Sequence, residues 1–156
     1  MNKVIAYKDL SKLIKHLNYH RKVLVGGVFD LLHLGHIRFL REAAQHGFLL
    51  VALESDESVK KFKGTHRPFH TQVERAEMLS QLETVDFVIL LPPFIQDADY
   101  FTFTQQVKPT IIAVTEGDPQ LANKQKQAVS VGGQIVVIPK IASPSTTQLA
   151  KLLQLE

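Results

Sequence analysis

Val23-Leu24-Val25-Gly26-Gly27-Val28-Phe29-Asp30-Leu31-Leu32-His33-Leu34-Gly35-His36 starts as an apolar, β-branched run, passes through a glycine pair and an acid, and ends in two histidines around Leu-Gly. Ile37, Leu40 and Ala44 follow at i, i+3 and i+7, the spacing of one helix face. The stretch therefore predicts a strand, a tight turn and the start of a helix. In α/β folds such a turn is an anion site, because the first backbone N–H groups of the helix lack internal partners and carry partial positive charge. Two imidazoles at its mouth point to phosphate chemistry.

The same alternation continues outward. Upstream, Leu10, Leu13, Ile14 and Leu17 mark an amphipathic helix, and residues 1–22 read as a helical extension packed on a single domain that spans 1–156. Downstream, Phe48–Leu53 is a continuous apolar run of the kind found in strands buried on both faces. Further strands are predicted at Val85–Leu91, Thr110–Val114 and Gln134–Ile138. Thr71-Gln72-Val73-Glu74 is a capping box opening a helix through Val73, Ala76, Leu79 and Leu82, and Ser145-Thr146-Thr147-Gln148 is another. Helices are also predicted over 97–107 and 120–131. Lys60 to Pro68 holds Gly and Pro without apolar periodicity and reads as a mobile basic loop. The pattern is that of a Rossmann-like three-layer α/β fold, a parallel five-stranded sheet with helices on both faces. Ligands of such sheets sit at the carboxyl ends of the strands, where the Gly-Gly/His turn, the basic loop, Glu116-Gly117-Asp118 and Ser145-Thr146 all fall.

Composition narrows the chemistry. The chain has 156 residues and no cysteine, which excludes a disulfide framework and a thiolate metal site. A net charge of +3 suits an anionic small molecule and is too small to argue for nucleic acid. No apolar run reaches membrane-spanning length, and Lys8 and Asp9 interrupt any signal-like core, so a cytoplasmic protein is expected. The glycine pair lacks the G-x-G-x-x-G spacing of a dinucleotide fingerprint, and no Gly-Lys-Ser/Thr closes a P-loop. Zinc is poorly served, with no clear third ligand.

On residue chemistry alone, alternatives stay open. His33 and His36 fit a turn cap and a satisfied helix residue, or they are phosphate donors at a helix N-terminus. Lys60, Lys61 and Lys63 fit a solvated charge run or a cationic flap. Ser145 and Thr146 fit helix caps or a second anion site.

Gly27-Val28-Phe29-Asp30-Leu31-Leu32-His33-Leu34-Gly35-His36 resembles the G-T-F-D-x-x-H-x-G-H signature of the cytidylyltransferase-like nucleotidyltransferases, with Val28 in place of Thr. The likeness continues through Ser55–Gly64, Arg67-Pro68, Glu74-Arg75, Val85-Asp86 and Ser145-Thr146-Thr147. Within the superfamily the chain is most similar to the heptose-phosphate adenylyltransferase domain of ADP-heptose synthesis, and next to glycerol-3-phosphate cytidylyltransferase. The resemblance implies transfer of a nucleoside monophosphate from ATP, or from CTP on the second likeness, to a phosphorylated sugar or polyol, with release of pyrophosphate. A nucleotide-sensing module without turnover is the rival reading. The resemblance further implies that His33, His36, Lys61 and Lys63 act on the phosphates. Val28 and Phe29 would lie against the α-phosphate, and Gly27 and Gly35 would be among the nucleotide-binding residues. Glu116, Gly117 and Asp118 would lie near the base, and Ser145 and Thr146 would hold the β- and γ-phosphates. Lys140 stands where the cytidylyltransferases carry arginine, keeping the charge but losing the bidentate fork. Asp30, Arg75 and Asp86 match family positions as substrate contacts or as structural residues. Mg²⁺ would be held mainly by the triphosphate rather than by protein side chains, and a homodimer is favoured.

Overall fold

A computed structural model describes residues 2–155. Its centre is a parallel sheet whose strands are β1 (Val4–Ala6), β2 (Lys22–Gly27), β3 (Phe48–Leu53), β4 (Phe87–Leu90), β5 (Ile111–Thr115) and β6 (Gln134–Ile138). The spatial order is β1-β4-β3-β2-β5-β6, and every pair is parallel. The sheet thus has six strands rather than five. The extra one is Val4–Ala6, which pairs with Val88–Leu90 at the sheet edge. Three residues are too few for alternation to be legible, and only the exposed edge of β4 turns them into a strand.

The helices are α1 (Leu10–His16), α2 (Leu34–Ala44), α3 (Asp56–Lys63), α4 (Gln72–Ser80), α5 (Asp97–Val107), α6 (Leu121–Ser130) and α7 (Thr146–Leu152). Successive strand residues point to opposite faces, so the sheet divides the apolar residues into two cores. Val23 and Val25 join Leu40, Ala43, Ala76 and Leu79 on the face covered by α2 and α4. Leu24, Leu50 and Ile112 join Leu10, Leu13 and Phe103 on the face covered by α1, α5 and α6. Full burial of such a side chain contributes about 1.5–3 kcal/mol.

Two predicted helix faces are rotated. In α2 the fully buried positions are Leu40 and Ala43, whereas Ile37 is 36% exposed. In α4 Val73 is 66% exposed, and the side chain buried beside Ala76 and Leu79 is Arg75. A charged residue at a core position defeats hydrophobic periodicity, because the interior accepts it only when every donor is paired. The basic segment also differs from expectation. Lys60, Lys61 and Lys63 form the last turn of α3 rather than a loop, where their charge opposes the negative end of the helix dipole. Ser55 caps the helix start through its hydroxyl, and Gly64, with φ +99°, ends it.

β2 is where the winding reverses. Chain order runs from β2 to β3 and β4 on one side and to β5 and β6 on the other. The crevice between the carboxyl ends of β2 and β5 is therefore the topological switch point, the usual ligand position in open α/β sheets.

Candidate active site

At the end of β2 the chain turns sharply. Phe29 adopts φ +48°, a left-handed conformation that is costly for a bulky residue, while its side chain is buried. Its ring folds back over Gly27, where a Cβ would come within 2.8 Å of Phe29 Cε2. Glycine at 27 is thus what lets the turn close.

The turn delivers two imidazoles. His33 is the N-cap of α2, and its Nδ1 accepts the Gly35 N–H at 3.0 Å. The His33 N–H in turn donates to Nδ1 of His36 at 3.4 Å, a capping box built from two histidines. Gly35 has its own steric reason: a Cβ there would lie 2.8 Å from the His33 ring. The rings of His33 and His36 stack, with centroids 3.8 Å apart, and Phe29 packs 5.1 Å from His36. Burial, followed by the nearby His33, lowers the His36 pKa to about 4, and burial lowers that of His33. Both rings are therefore neutral at pH 7. Since each Nδ1 accepts a backbone N–H, a neutral ring carries its proton on Nε2; the His36 ring is also hydrogen-bonded to the Leu31 backbone, which partly offsets the lowering of its pKa.

These groups line a cavity of about 300 Å³ at the switch point. One wall is Gly26–Phe29, His33, Gly35 and His36, and the other is built by Asp118, Lys124, Lys140, Ser143 and Ser145. Of the residues singled out in the sequence, Gly27, Val28, Phe29, His33, Gly35, His36, Asp118, Lys140 and Ser145 meet here. Ser145 Oγ caps α7 by accepting the Gln148 N–H, and Thr146 Oγ1 donates to the Leu31 carbonyl at 2.8 Å. That bond ties α7 to the histidine turn. The Glu116 carboxylate accepts the Lys140 N–H at 3.3 Å at the rim, and Gly117 adopts φ +80° in the turn before Asp118.

The remaining candidates lie elsewhere. Asp30 is 1% exposed and binds Arg67 Nε at 2.7 Å together with the N–H groups of Phe69 and His70, anchoring the segment before α4. Arg75, fully buried, donates to the carbonyls of Val28, Glu54 and His70 and to the Asp56 carboxylate. It thereby holds the ends of β2 and β3 together beneath the site. Asp86 accepts the Leu49 N–H at the opposite end of the sheet. Lys61 is exposed on α3.

Lys63 faces a second cavity, of about 410 Å³, on the α5/α6 side of the sheet. No motif or spacing in the chain marks it. Its walls come from the 91–97 segment, from α5 and from α6, elements without a shared motif. Lys124, equally unannounced, lines both cavities and pairs with Asp118 at 2.6 Å. Among the described residues, no group of three or more His, Asp or Glu side chains gathers to hold a metal ion, and no helix is long and apolar enough to cross a membrane.

The cytidylyltransferase-like family model matches residues 24–145, from within β2 to the N-cap of α7. The bifunctional protein HldE of Helicobacter hepaticus is 34% identical over 154 residues, covering 98% of this chain but 30% of HldE. The chain thus spans under a third of the length of those relatives. The FAD synthase of Thermococcus sibiricus is 32% identical over 137 residues, covering 85% of this chain and 90% of the synthase. Among solved structures, the lipopolysaccharide core biosynthesis protein of Thermoplasma volcanium superposes with a TM-score of 0.62 at 28% identity, over 78% of this chain and 97% of that one.

Proposed function

The chain belongs to the cytidylyltransferase-like family and is a nucleotidyltransferase, and on that premise we propose that it transfers an adenylyl group from ATP to a small phosphorylated acceptor. The observation that carries the reading is the stacked His33–His36 pair at the N-terminus of α2, with both residues lining the switch-point cavity. ATP rather than CTP is favoured by the HldE and FAD synthase relatives, since the product of the latter contains an adenylyl group.

The chemistry needs little from the protein beyond placement and charge stabilisation. An oxygen of the acceptor phosphate, already anionic, attacks the α-phosphorus in line. The bond from the α-phosphorus to the bridging oxygen breaks, and pyrophosphate leaves with that electron pair. A new phosphoanhydride joins the adenylyl group to the acceptor. No general base is required. Negative charge that grows on the phosphate oxygens is met by the imidazole N–H groups, the N-terminal amides of α2, and Lys140. The cavity's donors are those of an anion site; its carboxylates, Glu42 and Asp118, form no cage, and Asp118 is already paired with Lys124. Mg²⁺ would accordingly arrive on the triphosphate, ligated by phosphate oxygens and water.

The test is pyrophosphate release with ATP and with CTP, each against sugar, polyol and flavin phosphates. Release with ATP and at least one phosphomonoester supports the reading. Release with CTP alone reassigns the donor, and none with any pair, despite nucleotide binding, points to a sensing module.

A further inference from the structure

On the adenylyl-transfer reading, ATP occupies the switch-point cavity and its acceptor the second one. Beyond His36, the residues of α2 that line the switch-point cavity are Arg38, Phe39 and Glu42. With Gly35 they stand at i, i+3, i+4 and i+7, which is one face of the helix. The cavity therefore does not stop at the histidine turn. It continues along α2, and Glu42 lies about 10 Å beyond Gly35 along the helix axis. That is close to the reach of a nucleotide from its α-phosphate to the far edge of its base.

From the end of β6 onward the cavity is lined by Ile138, Pro139 and Ile141, and Phe39 supplies an aromatic ring on the helix side. Hydrocarbon on both sides suits the faces of a flat base. The acids nearby are not alike. Asp118 is committed: Oδ1 accepts the Gln120 N–H and Oδ2 pairs with Lys124. Glu116 accepts the Lys140 N–H at the rim. Glu42 has no hydrogen bond or ion pair among the described residues, and neither has Arg38, one turn nearer the phosphates. Arg38 precedes Glu42 by four residues, the order in which such a pair is the weaker. Both are exposed in the free chain. A base seated against this face of α2 would take water away from the Glu42 carboxylate, and a carboxylate tolerates that only where a donor replaces the water.

We infer that Glu42 is a specificity-determining residue that reads the exocyclic amino group of the base, admitting amino-bearing nucleotides and rejecting their keto counterparts. The inference rests on the adenylyl-transfer reading and deepens it. An adenine amino N–H donates to the carboxylate. The oxygen of hypoxanthine at the same ring position sets lone pairs against it. Arg38 has a different part: standing between the base end and the phosphates, its guanidinium attracts the triphosphate whatever the base.

The experiment titrates the full chain with the Mg²⁺ complexes of ATP and ITP by calorimetry, with no acceptor present so that nothing turns over. The two nucleotides carry the same charge and differ at the amino position, so the ratio of their dissociation constants is blind to the general effect of removing an acid. The wild-type chain is expected to bind ATP about tenfold or more tightly than ITP, the worth of one hydrogen bond to a charged group. In Glu42→Gln, whose amide presents either a donor or an acceptor, the preference should fall to about twofold or less. Arg38→Gln should weaken both nucleotides alike and keep the wild-type ratio. A wild-type ratio near one, a tenfold ratio that persists in Glu42→Gln, or an equal collapse in Arg38→Gln overturns the role of Glu42 and leaves adenylyl transfer standing. A chain that binds CTP and ignores ATP overturns the adenylyl reading; Glu42 then keeps its role if CTP is preferred over UTP and Glu42→Gln removes that preference, and loses it otherwise. A chain that binds none of the four nucleotides overturns both.

Discussion

The imidazoles of His33 and His36 stack with centroids 3.8 Å apart and planes 25° apart, each accepting a backbone N–H on Nδ1. The first prediction concerns pH. Burial lowers the folded pKa of His36 to about 4 from an ordinary histidine's 6.5, so between these values the unfolded chain binds more protons than the folded one. Stability contributed by the neutral ring is complete above pH 6.5 and is lost as pH falls towards 4. Urea midpoints of the free protein should decline through that window, and His36→Gln should flatten the slope. An equal slope in both proteins argues against the neutral pair.

His36→Ala removes one Nε2–H donor and leaves the long 3.4 Å capping contact unmade. Turnover should fall by about a hundredfold or more, the usual cost of a transition-state donor, with circular dichroism and nucleotide-free Tm little changed. Near-normal pyrophosphate release in this variant would contradict the proposed role.

Gly35→Ala tests why glycine stands between the histidines. Its Cβ would press on the His33 ring at 2.8 Å, so the ring must swing out and the N-cap bond break. A stability loss of about 1 kcal/mol is expected from the cap alone, together with weaker ATP binding. Calorimetry of the variant with and without nucleotide separates the two effects.

Arg75→Met should unfold the site without touching substrate. The guanidinium is fully buried and makes four hydrogen bonds, so its loss leaves the Asp56 carboxylate and three carbonyls without their donor. Each buried carbonyl left without its donor costs about 1–3 kcal/mol, while the Asp56 side chain, 31% exposed, regains water. Denaturant unfolding should show that loss; a stable variant with impaired catalysis would instead place Arg75 in the chemistry.

Lys63→Ala separates the two cavities. Because Lys63 lines the second one and not the switch-point cavity, its removal should raise the acceptor KM several-fold and leave the ATP KM near normal. A matched rise in both would return the α3 lysines to the triphosphate.

Sequence alone determined the parallel α/β plan and the histidine turn, because both are local. Strand and helix periods are carried by neighbouring residues, and so are the Gly27–Phe29 and Gly35–His33 contacts that shape the turn. The caps at Thr71 and Ser145 were legible for the same reason. What folding decided is non-local. β1 exists only because the edge of β4 is open to it. Arg75 hides in an apolar face because carbonyls from two strands and a loop converge on it. Lys60–Lys63 joined a helix whose cap lies at Ser55, five residues before Lys60. Most consequentially, Lys124 and the aromatic cavity come from segments far apart in the chain, and no spacing rule connects them. The proposed phosphate site is therefore written in the turn, while the proposed acceptor of the adenylyl group depends on surfaces that only the packed helices create.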